Sequence, residues 1–273
     1  MCSSFLRGAV LAGLVIAGGV QARELRVCAD PNNMPFSNEA GEGFENKLVS
    51  LIADELGAEV RYTWWAQRRG FLRNTLKAGA CDLVPGLPAN LEGVRTTAPY
   101  YRSSYVFVTR RNGPEIKSFN DPALRDLTIG VHLIGDDGSN TPPAHALSRR
   151  GIVGNVRGYM IYGNYNDPNP PARILKAVAD DEIDVAVVWG PLGGYFAERE
   201  NVPLKVMPVR PIFDGPQLPM VFDISMAVRK EDEALRQEID AALSRRRTEV
   251  NAILAAYRIP RLDAGLEQAG RTR

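Results

Sequence analysis

A strand–helix alternation broken twice by long extended segments limits what this chain can fold into. Residues 104–109 (Ser-Tyr-Val-Phe-Val-Thr) and 222–228 (Phe-Asp-Ile-Ser-Met-Ala-Val) are β-branched and aromatic runs with no helical spacing. Before the first run, residues 25–29 read as a buried strand. Residues 45–56 read as a helix, with Leu48, Leu51, Ile52 and Leu56 on one face and Gly57 as its cap. Residues 59–64 give a second strand, 70–78 a second helix stopped by Gly79, and 81–86 a third strand. This β-α-β-α-β order predicts a parallel sheet with right-handed crossovers and a ligand site at the carboxyl ends of its strands.

Between the two runs the pattern restarts, with strands at 127–131, 156–162 and 184–188, helices at 141–150 and 172–180, and an edge strand at 203–209. Residues 231–257 read as one long helical region through Leu235, Ile239, Leu243, Val250, Leu254 and Tyr257, with Arg245, Arg246 and Arg247 on its solvated face. Two α/β units joined by two extended crossings predict a two-lobed clamshell; the crossings act as hinges and the cleft holds the ligand. The expected division is residues 23–105 and 222–260 for the first lobe, 106–221 for the second, and 261–273 as a flexible tail.

Residues 1–22 have one cation, Arg7, an apolar stretch from about Ala9 to Val20, and a Val-Gln-Ala close, the marks of a secretory signal peptide. No second apolar stretch of that kind follows, so a soluble protein of the periplasm is expected. Removing the peptide discards Arg7 and leaves the basic residues, 33 in the whole chain, level with the 32 acidic ones. A chain without net charge has no electrostatic reason to favour nucleic acid or an anionic membrane. Cys28 and Cys81 remain after processing. An even pair in an oxidising compartment predicts a disulfide over two buried thiols.

Several segments carry a family resemblance. They are residues 27–36, Gly43-Phe44-Glu45 ahead of the first helix, Asp82-Leu83 running into a glycine turn, Pro99-Tyr100-Tyr101, and Asp184-Val185-Ala186-Val187-Val188. Together they resemble the family 3 extracellular solute-binding proteins, the amino-acid-binding clamshells of bacterial ABC importers. The resemblance spans nearly the whole mature chain. It implies the α/β periplasmic-binding-protein fold of type II, two parallel-sheet lobes joined by two hinge strands. Residues 26–38, 62–71 and 96–107 are similar to one subgroup, the MoxJ and XoxJ proteins encoded beside quinoprotein methanol dehydrogenases. That similarity implies a non-enzymatic helper of a dehydrogenase that uses pyrroloquinoline quinone (PQQ) with calcium or a lanthanide. The enzyme would be its partner, maturation or activation its role, and PQQ a transient contact rather than a resident cofactor. The other reading is an importer's receptor for an uncharged, apolar or aromatic small molecule.

Holding a free amino acid takes a cation for its carboxylate and an acid for its ammonium, because desolvating a zwitterion without them is costly. In the family that acid stands five residues after the first aspartate of the Asp-Val-Ala-Val-Val run, where this chain has Trp189. The family's arginine follows the glycine turn, and residues 86–95 offer only Arg95, out of register. The departures predict an aromatic, apolar cleft built from Met34, Phe36, Trp64, Trp65, Tyr100, Trp189 and Tyr195, with Arg68 beside it. Plainer readings stand next to these. One of Trp64 and Trp65 belongs to the core, Met34 and Phe36 plug the cleft mouth, and Arg68 and Arg69 solvate a helix start.

Enzymatic chemistry finds little support. His132 and His145 are the only histidines, and no Ser or Cys nucleophile is recognisable beside His132; a cleft dehydratase built on paired acids and arginines is the enzymatic alternative. Asp136, Asp137 and Asp167 lack the spacing of a cation loop. Residues 190–194 (Gly-Pro-Leu-Gly-Gly) lack the Lys and Ser/Thr of a nucleotide cradle. No catalytic residue and no metal site is predicted.

Overall fold

The computed structural model describes residues 23–133, 140–161 and 165–262. The expected signal peptide, Asp136, Asp137 and all but the first two residues of the expected tail lie outside them. In the first lobe β1 (Arg23–Ala29) enters a loop that folds on itself as β2 (Asn32–Asn33) and β3 (Ser37–Asn38). Helix α1 (Phe44–Leu56) follows, burying Phe44, Leu48, Val49 and Ile52, and β4 (Ala58–Trp64) then pairs parallel to β1. Helix α2 (Phe71–Asn74) is shorter than its spacing predicts. Thr75 turns its hydroxyl back to the Phe71 carbonyl at 2.6 Å, and the chain tightens into a 3-10 turn. Strand β5 (Val84–Pro88) lies beside β1 through a parallel bridge of Val27 with Leu83. The Cys28–Cys81 disulfide ties the same two segments, 53 residues apart in sequence. Closing a loop of that length contributes about 4 kcal/mol through the unfolded chain.

After β6 (Arg95–Thr96) comes the first crossing, β7 (Tyr101–Arg110). The second lobe holds β8 (Ile129–Leu133), α3 (Pro142–Arg149), β9 (Val156–Met160), α4 (Arg173–Ala179), β10 (Val185–Trp189), α5 (Gly190–Ala197) and β11 (Leu204–Pro208). The second crossing is β12 (Val221–Val228), and α6 (Glu233–Arg245) and α7 (Arg247–Ala256) return to the first lobe. The sheet order β5-β12-β7-β10-β8-β9 carries one ladder through both crossings. Residues 101–104 of β7 pair with β12, while residues 105–110 pair with β10 and β11. Each lobe has its own core, around Phe44, Ile52, Tyr101 and Leu254 in the first and Phe107, Ile129, Val185 and Met220 in the second.

Two details go beyond what the sequence pattern predicts. The long C-terminal helix breaks at Arg246, so that both pieces reach α1. Arg245 and Arg246 bond Glu55 of α1 at 2.6 and 3.4 Å, and Arg247 donates to the Tyr100 carbonyl at 3.2 Å. The arginine run is thus tied to the first lobe while Arg245 and Arg247 stay exposed, as expected of a solvated face. The glycine-rich stretch 190–197 is a helix whose glycines admit close neighbours. A β-carbon on Gly194 would stand 2.2 Å from the Arg258 carbonyl oxygen, and one on Gly193 2.6 Å from a Val106 methyl. Among the described residues no helix is long and apolar enough to cross a membrane.

Candidate functional site

A cavity of about 290 Å³ opens where the two crossings and β10 meet loops from both lobes. Phe36, Tyr105, Trp189, Leu192, Phe222 and Ile224 form its apolar walls, completed by Asn33, Gly86, Pro88, His132 and Ile161. Trp189 ends β10 directly across the ladder from Tyr105. Its ring meets Tyr105 edge-on at 5.3 Å and Phe222, from the other crossing, at 5.7 Å. Each of these three strands therefore supplies one ring, in the tilted packing that aromatic quadrupoles favour. Phe36 stands on the first-lobe loop, its ring 5.5 Å from that of Phe44.

The electrostatics are spare. None of the described residues lining the cavity is a lysine, arginine or acid. His132 is buried, and burial pushes its imidazole down to about 4, so it is neutral in ordinary conditions. Burial pushes the Tyr101 hydroxyl well up, offset in part by a hydrogen bond from the Trp189 indole. One acid waits at the wall. Gly86 adopts a φ of 66°, and a β-carbon there would sit 1.8 Å from Oε1 of Glu45. Burial raises that carboxyl to about 8.

The lobes also touch through polar bonds at the cleft mouth. Asp30, buried at the end of β1, accepts from the Asn32 amide at 2.9 Å, the Gln67 amide at 2.7 Å and the Tyr165 hydroxyl at 2.8 Å. The Asn32 side chain donates to the carbonyls of Tyr165 and Asp167 at 3.3 and 2.9 Å. Two first-lobe residues thus hold a second-lobe segment.

Of the residues singled out from sequence, the structure brings Phe36 and Trp189 together in the cavity. Met34 is buried in a second-lobe cluster with Val106 and Leu192. Trp64 stacks on Tyr62 at 4.4 Å, Trp65 and Arg68 are exposed, and Tyr100 is buried in the first-lobe core. Tyr195 stacks on Tyr257 at 5.7 Å with Arg199 over its face. None of these six lines the cavity. Tyr105 and Phe222 carry no site signal in sequence, because apolar residues run along both extended crossings. Arg95 bonds the Lys230 carbonyl at 2.9 Å and Glu233 at 3.0 Å, on the far side of the first lobe. Among the described residues no group of three or more His, Cys, Asp or Glu side chains is placed to hold a metal ion.

A ring-lined cavity between two lobes hinged on two strands defines a solute-binding clamshell. The chain belongs to the bacterial extracellular solute-binding proteins, family 3, whose pattern matches residues 25–257. It is similar to protein MoxJ of Methylorubrum extorquens, 34% identical over 251 residues that cover 88% of this chain and 82% of that one. It also resembles the crystal structure of periplasmic binding protein XoxJ from Methylobacterium extorquens, 37% identical with a TM-score of 0.71, covering 87% of this chain and 99% of XoxJ. For MxaJ from Methlophaga aminisulfidivorans the identity is 27%, the TM-score 0.73 and the coverage 87% and 100%. The subgroup resemblance, the type II fold and the disulfide stand as the sequence predicts.

Proposed function

We propose that this protein is a non-enzymatic periplasmic accessory of a PQQ-dependent methanol dehydrogenase, aiding its maturation or activation, and that its cleft engages the enzyme rather than the cofactor. The similarity to MoxJ and XoxJ supports the partner. The observation that carries the reading is what lines the cleft: rings and aliphatic side chains stand where a zwitterion clamp belongs, and Arg95 is committed elsewhere. PQQ is a planar tricarboxylate, and this cavity offers it no cation among its described lining residues, only a neutral histidine and a nearby acid. The residues do not fit that group. A protruding partner segment suits the site better, since aromatic anchors give large contact area at small entropic cost.

The test is capture of purified apo- and holo-dehydrogenase by the mature protein. The expected result is a complex that Trp189→Ala weakens. No complex, with dehydrogenase activity and PQQ loading unchanged, overturns the proposal. The lobe-to-lobe bonds of Asp30 and Asn32 favour one other reading, a receptor that closes over an uncharged or aromatic small molecule. A ligand that raises the melting temperature of this protein without any dehydrogenase would select it.

A further inference from the structure

From the wall at Gly86 we infer that the cleft recognises an organic cation, a primary alkylammonium group received by the Glu45 carboxylate and by the ring faces of Phe36, Tyr105, Trp189 and Phe222. The inference rests on reading the cleft as the binding site. Glu45 keeps 6% of its surface exposed. Among the described residues none gives its carboxyl a hydrogen bond or a positive charge. A buried acid left so is costly, and such groups are normally partnered. The Tyr100 hydroxyl, close enough to feel the Glu45 charge, is also buried without a hydrogen-bond partner. An ammonium brings three donors, which suits a carboxylate with a hydroxyl oxygen near it.

Two further observations place this acid at the cleft rather than in an isolated core. Its Oε1 lies where a β-carbon of Gly86 would be, and Gly86 lines the cavity. Only a glycine lets the carboxyl come so near that wall. Glu45 also feels Tyr101, whose hydroxyl is bonded by the Trp189 indole, so acid, phenol and cleft tryptophan form one connected set. The remaining lining is what a cation needs beyond its counter-charge. Aromatic faces attract ammonium groups through their quadrupoles, more strongly when water is excluded.

The acid is raised to about 8, so below that pH it is mostly protonated and a bound cation must displace the proton. The other titratable groups facing Glu45 are Tyr62 on β4 and Tyr100 and Tyr101 at the start of β7. All three are raised and stay protonated, while His132 in the cavity stays neutral. Ionisation of Glu45 alone then makes the affinity rise about fifty-fold from pH 6 to pH 8 and flatten above it.

The experiment titrates the mature protein with n-butylammonium, 1-butanol and butyrate, followed by tryptophan fluorescence and calorimetry. The expected result is saturable butylammonium binding, at least about tenfold tighter than either isostere. It should release about nine-tenths of a proton at pH 7. Glu45→Gln should remove the pH dependence, and Trp189→Leu should weaken binding while keeping it. Equal binding of 1-butanol, a flat pH profile in the wild-type protein, or binding unchanged by Glu45→Gln overturns the inference. An Nα-acetyl-lysine methylamide arm separates sources. Tighter binding than butylammonium identifies a partner's lysine side chain, and weaker binding a free amine; failure of both overturns the site. Dehydrogenase capture without cation binding sinks only this inference, and cation binding without capture sinks only the accessory role.

Discussion

Among the described residues, a cavity at the edge of the second lobe is larger than the one between the lobes, and it is the less informative of the two. The edge cavity, about 400 Å³, is built wholly by the second lobe from Arg157, Tyr159, Arg173, Glu182 and neighbours beside β9. The interlobe cavity, about 290 Å³, draws its walls from both lobes and both crossings. His132 lines both, so the two are separated by little more than one buried ring. What differs is consequence. Filling the edge cavity changes contacts within one rigid body. Filling the other changes the free energy of one lobe against the other, which is how a ligand shifts a hinge equilibrium. Position on the hinge, not volume, is what makes the interlobe cavity the candidate site.

Substitutions in matched pairs test that distinction. The largest effect is expected for Gly86→Ala, which puts a β-carbon 1.8 Å from a buried carboxylate oxygen at a φ of 66°. A loss of about 3 kcal/mol in denaturant melts is expected from strain and overpacking together. Gly158→Ala on the edge-cavity wall meets only the Leu133 side chain, its nearest methyl at 2.2 Å, and should cost about 1 kcal/mol. Equal costs would mean that the Gly86 wall is as pliable as the edge.

Glu45→Gln comes next. Its carboxyl is raised in the folded protein, to about 8, so the folded state holds the proton more tightly than the unfolded chain. That stability is present in acid and is lost as pH climbs to 8. Wild-type protein should therefore lose roughly 3 kcal/mol between pH 5 and pH 8 through this group, and the Gln variant should not. Chemical denaturation at both pH values measures it, and parallel curves would show that the carboxyl is solvated. Smaller still is Trp189→Ala, expected to weaken capture of the dehydrogenase about tenfold, against no change for Arg173→Ala in the edge cavity. A reversal would move the binding site to β9.

Much of this architecture was legible from spacing. The strand–helix alternation, the two crossings and the Cys28–Cys81 pair follow from periodicity and cysteine count, because backbone geometry imposes those patterns locally. The site was harder to read. Trp189 was reachable, since a substitution at a position of known orientation carries its direction with it. Tyr105 and Phe222 were not, because either face of an extended segment is apolar when it crosses between two cores. Glu45 was invisible as chemistry. In sequence it is a polar residue of a helix's first turn, and only the absent β-carbon at Gly86, 41 positions on, gives its carboxyl a place at the cleft. Trp64 and Tyr195 show the opposite error: aromatic residues near a cleft in sequence found ring partners elsewhere, Tyr62 and Tyr257.

The finest test concerns one of the three bonds that join the lobes at the cleft mouth. Asp30 takes two of its donors, the amides of Asn32 and Gln67, from its own lobe and the third, the Tyr165 hydroxyl, from the other. Tyr165→Phe removes only the third. The aspartate stays held by its two amide bonds, so the loss falls on the contact between lobes and not on the folding of either. A buried bond to a charged acceptor is worth about 1–2 kcal/mol, which shifts an open–closed ratio by roughly five- to thirtyfold. Small-angle scattering should show a larger radius of gyration for the variant, with the midpoint of denaturant unfolding unchanged. Arg173→Ala should leave the scattering alone. If Tyr165→Phe does as well, the lobes are held by the two Asn32 bonds and the cavity's rings rather than by the Tyr165 hydroxyl.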